Sequence, residues 1–263
     1  MATAWRNSGS MDLRIYLAGR VGVECKGDLV LDERQFRGRQ ARLAFAYLVL
    51  ERSRPVPRWE LAALLWPDEM PPAWETALSA IVSRMRSLLG RTALPAGEAS
   101  VSGGFGQYQL HLPASTWVDV EEAATAIDVA EGALRAGEPK RGFGPATVAA
   151  TIARRPFLSG DRGEWAEGQR EKLRRQLQRA LECLARIWLA SGEPELAVNA
   201  ASEAVALDSC RESGYQLLMR SHAAAGNRAE SMRAYHRLRA QLAEELGADP
   251  SPETQALYLE VLG

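Results

Sequence analysis

Apolar residues recur along this chain at two spacings, and the change from one to the other divides it. From Asp12 to Leu31 the short runs "LRIYLAG", "RVGVECKG" and "DLVL" are broken by Gly19, Gly22 and Gly27. That is the pattern of small strands joined by tight turns. Helical spacing takes over at "LAFAYLVLE", and the helix it predicts ends near "RSRPVP". "RWELAALLW" predicts a short helix with Leu61, Leu64 and Leu65 at helical spacing. "PDEMPPAW" is a loop, because Pro67, Pro71 and Pro72 disfavour a regular helix through it. "ETALSAIVSRMRSLLG", Glu75 to Gly90, predicts a third helix with Gly90 as its C-cap. "ASVSGGFGQYQLHL" then predicts a β-hairpin around Gly103, Gly104 and Gly106.

Strands, three helices and a hairpin, in that order, make the winged helix-turn-helix layout. Its third helix enters the major groove and its hairpin is the wing. The strands ahead of the helices resemble the OmpR-like variant. Beyond Pro113 the pattern is almost wholly helical. "WVDVEEAATAIDVAEGALRAG" predicts one amphipathic helix, "EPKRGFGP" a mobile polar connector, and Gly163 to Ala190 a long Arg- and Leu-rich helix. A repeat follows: Gly192 falls on Gly226, Ala190 on Ala224 and Ala200 on Ala234, all 34 residues apart. This period, with small residues and a Gly between helices, is the tetratricopeptide signature. Ser231 stands where that pattern has Ala, and no Pro closes the first repeat. The expected architecture is therefore mainly α. Residues 1–11 are a disordered tail, 12–113 a winged helix-turn-helix with a small β-sheet and a hairpin wing, and 114–263 an all-α tetratricopeptide-like domain.

Composition narrows the function. A hydrophobic fraction of 46% and a charged fraction of 25% suit a folded chain. No apolar run approaches the ~20 residues that span a bilayer, so no membrane partner is expected. The start, "MATAWRNSGS", lacks the apolar stretch of a signal peptide, which points to the cytoplasm, and Met11 is a second possible start. Cys25, Cys183 and Cys210 are too widely spaced for a disulfide framework or a zinc site. The net charge is −1, but residues 1–113 hold 14 Lys+Arg against 11 Asp+Glu, and the remainder is acidic. A slightly basic front permits nucleic-acid contact there. GxSxG, HExxH, GxGxxG and CxxC motifs are all missing, so no enzyme, metal or cofactor is expected.

Three segments resemble a known family. "AYHRLRAQLAEELGADPSPETQALYLEVL" resembles the end of the bacterial transcriptional activator domain. "GEWAEGQREKLRRQLQRALECLARIWLASGE" resembles its central helices through Trp165, Arg170 and Leu173. "RWELAALLWPDEMPPAWETALSAIVSRMRSLLG" resembles the winged-helix half of the same proteins, the SARP-type activators. The resemblance runs over roughly residues 12 to 262. It implies a DNA-binding transcriptional activator that sits as a dimer on direct repeats upstream of biosynthetic genes and recruits RNA polymerase. It also implies that the "PDEMPPAW" loop, with acidic Asp68 and Glu69, faces RNA polymerase or its sigma factor. With no ATPase P-loop, the chain resembles the short members of the family. The wing departs from the pattern: "GGFGQYQL" lacks the basic residue that members often carry there, which predicts weaker or more partner-dependent DNA binding.

The residues that would touch DNA are read from the third helix at about 100° per residue. Ile81, Val82, Met85, Leu88 and Leu89 fall within ~80° of Leu78 and form a core face. Thr76, Ala80, Ser83 and Ser87 lie at the opposite pole, with Ser79 beside it and Arg84 and Arg86 at its edges. Small side chains let a helix sit deep in a groove, hydroxyls bond phosphates or base edges, and Arg reads guanine or holds phosphate. In the run Arg34 to Arg42, Arg37 and Arg39 are phosphate-contact candidates beside a helix N-terminus. On the wing, Gln107 and Tyr108 can hydrogen-bond to phosphate or the minor groove. Taken alone, the helix pole and the arginine run fit a solvated surface better than a DNA contact. Trp165, Trp188, Tyr215 and Tyr235 read as core, and His222 with His236 are too few for a metal site. Two rival functions stay open. One is a helical adaptor whose winged helix binds protein. The other is a sensor whose helical domain takes an unknown small molecule.

Overall fold

The computed structural model describes residues 13–91 and 99–263, so the expected tail at 1–11 lies outside the described residues. The chain packs as two compact units. One holds residues up to Glu121 together with Arg155–Arg170; the other holds Glu122–Arg154 and Glu171–Gly263.

The first unit begins with an antiparallel meander of β1 (Leu13–Tyr16), β2 (Gly22–Cys25) and β3 (Asp28–Leu31). Leu13 and Ile15 are buried while Arg14 between them is exposed, as one-sided burial of a strand requires. A 3₁₀ turn at Glu33–Phe36 follows, capped by Asp32 and Gln35 and anchored by the buried Phe36. Then come α1 (Arg39–Leu50), α2 (Arg58–Leu65) and α3 (Trp74–Leu89). Leu43 to Val49 of α1 are all buried, which makes it the central helix of the unit. The predicted hairpin is β5 (Ser100–Gly104) and β6 (Gln107–His111), joined on its outer side by the two-residue strand β4 (Val56–Pro57) in the order β4-β6-β5. This is the winged helix-turn-helix arrangement with its small sheet ahead of the helices.

Two features of this unit depart from the sequence pattern. Trp117–Val118, expected to open a helix, forms β7, which lies parallel to β1 and completes the order β3-β2-β1-β7. The helix starts at Asp119, whose buried carboxylate accepts the N–H groups of Leu17, Ala18 and Val120 at 2.9, 3.0 and 2.8 Å. Burial raises that carboxyl to about 6, and the N–H donors pull against the rise. The second departure is Arg155–Arg170. Its Phe157 and Leu158 are buried, and the Arg170 guanidinium donates to the carbonyls of Phe157, Leu158 and Asp161 at 3.0, 2.8 and 2.6 Å. Trp165 of this segment packs edge-on to Tyr47 and Phe157.

The second unit is wholly helical among its described residues. It takes in most of α4 (Asp119–Arg135), all of α5 (Pro139–Ala153) and the greater part of α6 (Glu164–Ala190). After these come α7 (Pro194–Leu207), α8 (Glu212–Ala224), α9 (Arg228–Leu246) and α10 (Pro252–Leu262). The "EPKRGFGP" connector is corrected: seven of its eight residues are the first two turns of α5. Pro139 takes the N-terminal position where a missing N–H costs nothing. Gly142 lies so close to α4 that a Cβ there would be 3.1 Å from the Ala130 carbonyl, and Phe143 stacks edge-on with Trp188. Packing of that glycine and that ring offsets the low helix propensity, including the internal Pro145.

The repeat is real in the backbone. Gly192 and Gly226 both sit at φ +76, each in the turn between paired helices. Small residues on the facing helices are fully buried, among them Ala197, Ala201, Ala204 and Ala234. Ser231 is tolerated in this core because its hydroxyl donates to the Met219 carbonyl at 2.9 Å. Tyr215 and Tyr235 are core residues, the latter stacked on Tyr258 with ring centres 4.0 Å apart.

Candidate nucleic-acid interface

The α3 helix owes its length to an apolar stripe of Leu78, Val82, Met85 and Leu89, all at most 4% exposed. It ends at Gly90 in the right-handed region, with the Gly90 N–H still bonded to the Arg86 carbonyl, so no left-handed cap is used. Burying the stripe turns the opposite pole outward: Thr76, Ser79, Ala80, Ser83, Arg84, Arg86 and Ser87 are all exposed.

Ala80, Ser83 and Ser87 form one wall of a groove of about 670 Å³, and Arg34, Arg37, Arg84 and Arg91 surround it. A neighbouring hollow of about 310 Å³ joins Arg37 and Arg84 to Arg39 and Ile81. Arg37 reaches both because it ends the 3₁₀ turn in the left-handed conformation at φ +46, followed by Gly38 at φ +129. Among the described residues no ion pair engages Arg34, Arg37, Arg84 or Arg91, whereas Arg39 leans on the buried Asp161 at 3.8 Å and Arg42 pairs with Glu33. Arg34 and Arg91 belong to this ring yet escape periodicity arguments, since one lies in a turn and the other just past a helix end.

Three of the expected contact residues are instead joined to one another through the wing. Arg86 donates its Nε–H to the Val101 carbonyl at 2.8 Å, and its guanidinium lies 5.9 Å from the centre of the Tyr108 ring. Arg58, at the start of α2, lies 5.6 Å from the same ring and donates to the Ser79 hydroxyl at 2.7 Å. Tyr108 is thus held between two cations and is only 7% exposed. Gly103 leaves the space this needs, because a Cβ there would be 2.7 Å from Arg86 Nη2 and 3.1 Å from the Tyr108 ring. Gln107 is exposed at the end of the hairpin turn. Arg58 was not singled out by periodicity, and its position beside "RPVP" shows nothing of a role on another helix.

Asp68 and Glu69 are exposed in the Pro-rich loop between α2 and α3, with no ion pair among the described residues. No group of three or more His, Cys, Asp or Glu among the described residues is arranged to hold a metal ion. No helix among them is long and apolar enough to cross a membrane.

In the second unit a cleft of about 330 Å³ lies between α6 and the α7–α8 turn, lined by Arg174, Arg175, Arg179 and Arg211 together with Glu171 and Asp208. Its arginines are engaged: Arg175 pairs with Glu171, Arg179 with Asp128 and Glu131, Arg211 with Glu182, and Arg174 bonds the Leu207 carbonyl. Gln178 at its base is 5% exposed and donates to Glu182, while its own Oε1 has no hydrogen-bond partner.

The first unit is thus a winged helix with a cation-ringed outer groove, and a helical repeat follows in the same chain. The bacterial transcriptional activator domain matches residues 118–262, and the chain belongs to that family, in its SARP-type class. It is 30% identical over 223 residues to the regulatory protein AfsR of Streptomyces coelicolor, covering 85% of this chain and 22% of that one. It is 26% identical over 223 residues to the transcriptional regulatory protein EmbR of Mycobacterium tuberculosis, covering 84% of this chain and 57% of that one. A solved structure of Mycobacterium tuberculosis EmbR, in complex with a low affinity phosphopeptide, superposes with a TM-score of 0.82 at 22% identity, over 96% of this chain and 65% of the other. That likeness shows a shared fold. The chain spans about a fifth of the length of the AfsR proteins it matches.

Proposed function

We propose that this chain is a DNA-binding transcriptional activator whose α3 enters the major groove of double-stranded DNA. The observation that carries the reading is the ring of Arg34, Arg37, Arg84 and Arg91, unpaired among the described residues, around the Ala80–Ser83–Ser87 face. Small and hydroxyl side chains let the helix approach base edges, and the guanidinium groups meet the phosphates on either side. Thr76 extends this face; Arg39 and Gln107 are outer contacts. Arg86, Ser79 and Tyr108 hold the wing against α3 and set its angle. Two copies bind a direct repeat as a homodimer in the cytoplasm, and Asp68 and Glu69 present negative charge to a basic surface of RNA polymerase or its sigma factor.

The test is selection of binding sites from random-sequence duplexes, followed by affinity measurements between 50 and 200 mM salt. A specific site whose affinity falls steeply with salt is the expected result, because each phosphate contact releases condensed counterions. A folded chain that enriches no sequence, even at low salt, overturns the reading and favours a winged helix that binds protein.

One observation favours a second role for the helical unit. The cleft beside the unpartnered Gln178 Oε1 suits a small polar molecule that carries a hydrogen-bond donor. A thermal-shift screen of metabolites carrying hydrogen-bond donors checks it, since a ligand that prefers the folded state raises the melting temperature.

A further inference from the structure

The wing closes in a two-residue turn, Phe105–Gly106, between the paired residues Gly104 and Gln107. Both turn residues are left-handed, at φ +50 and +73. At the first position, turns of this hand favour Gly, which has no Cβ to strain, or Asn, whose short polar side chain offsets the strain by local hydrogen bonds. Here that position holds a phenylalanine, and its side chain is fully exposed at 107% of its reference area. The hairpin does not need it: Val101, Tyr108 and Leu110 supply the buried face. A strained backbone and an unshielded ring thus coincide at one residue that is not part of the buried face among the described residues.

The turn is also held in register with the α3 pole. The Arg58 N–H bonds the Gly106 carbonyl at 2.9 Å, and the guanidinium of the same residue bonds the Ser79 hydroxyl at 2.7 Å. Arg58 and Arg86 place two cations at the root of the wing, around Tyr108. The hairpin from Ser100 to His111 carries no Lys, Arg, Asp or Glu of its own. Such a wing has little to offer phosphates at its tip, but a rigidly mounted aromatic ring suits a different minor-groove chemistry. Apolar side chains inserted between base steps unstack them and kink the duplex.

We propose that Phe105 is a wedge: it enters the minor groove beside the α3 site, partly unstacks one base step and bends the DNA. The inference rests on the DNA-binding reading above. It makes the wing a reader of deformability, so the step beneath it will be a flexible pyrimidine–purine step such as TA or CA.

The experiment uses the full chain and a duplex recovered by the selection described above. Bending is read by energy transfer between end-labelled dyes, and unstacking by 2-aminopurine placed in turn at each step flanking the α3 site. The variants are Phe105→Asn, which restores a favoured turn residue, and Phe105→Leu, which keeps an apolar wedge. Wild type is expected to bend the duplex and brighten 2-aminopurine at one step. Phe105→Asn is expected to lose both signals and about tenfold in affinity, with an unchanged salt slope and an equal or higher melting temperature. Phe105→Leu retains the bend. If wild type binds its selected site and Phe105→Asn binds and bends it equally, the wedge is overturned while the DNA reading stands. If wild type selects no DNA, both fall. If Phe105→Asn alters transcription with RNA polymerase but not DNA shape or affinity, the ring is a protein contact and the wedge is overturned.

Discussion

Arg84 and Arg86 are two residues apart on one helix, yet they face different tasks. Arg84 lines the groove with no ion pair among the described residues, and Arg86 is tied to the Val101 carbonyl and the Tyr108 ring. Arg84→Ala is expected to weaken binding across DNA sequences and to lower the salt slope by about one, with the melting temperature unchanged. Fluorescence anisotropy at several salt concentrations measures this. Gly103→Ala tests the other arginine's setting. Its new Cβ would meet Arg86 and Tyr108 inside contact distance, and overpacking of this kind costs about 1–3 kcal/mol. Chemical unfolding will show that loss, and DNA affinity will fall with it because the wing shifts.

At the scale of elements, the two turns at Gly192 and Gly226 have the same backbone angle and the same place in the repeat. Neither would place a Cβ against another atom, so substitution strains the backbone alone. Gly192→Ala and Gly226→Ala are each expected to cost about 1 kcal/mol, and by nearly equal amounts. Unequal losses in thermal unfolding would show that the two turns are not structurally equivalent. The α5 helix has a different logic. Its Gly142 and Phe143 are poor helix formers retained for close packing on α4 and α6, so Gly142→Ala is destabilising despite alanine's higher helix propensity.

At the scale of the whole molecule, Asp119 is one of the contacts that tie distant parts of the chain, and its carboxylate holds backbone N–H groups about a hundred residues earlier in sequence. Its pKa rises from 3.8 to about 6 in the folded state. The folded state therefore binds this proton more tightly than the unfolded chain does. The stability contributed by that proton is present in full below 3.8 and is lost as pH rises through about 6. The swing amounts to about 3 kcal/mol. Asp119→Asn removes this pH dependence. Because its amide NH₂ cannot accept from a backbone N–H, the variant also loses about 1–3 kcal/mol at low pH. Denaturant unfolding of both proteins at pH 4, 5, 6 and 7 measures the two effects together.

The local periodicities were enough to place the three winged-helix elements, the hairpin and the 34-residue repeat, because each depends on which side of a helix or strand is apolar. The outward face of α3, with Thr76, Ala80, Ser83 and Ser87, follows from the same rule. Periodicity says nothing about long-range partners. Only the tertiary structure placed β7 beside β1, returned Phe157 to the first unit and made a helix of "EPKRGFGP". It also separated arginines that look alike in sequence. Arg34, Arg37, Arg84 and Arg91 come together around one groove, while Arg58 and Arg86 close on Tyr108. A guanidinium's task depends on the carboxylates, carbonyls and rings within reach of its long side chain, and those are set by the packing of elements far apart in the chain.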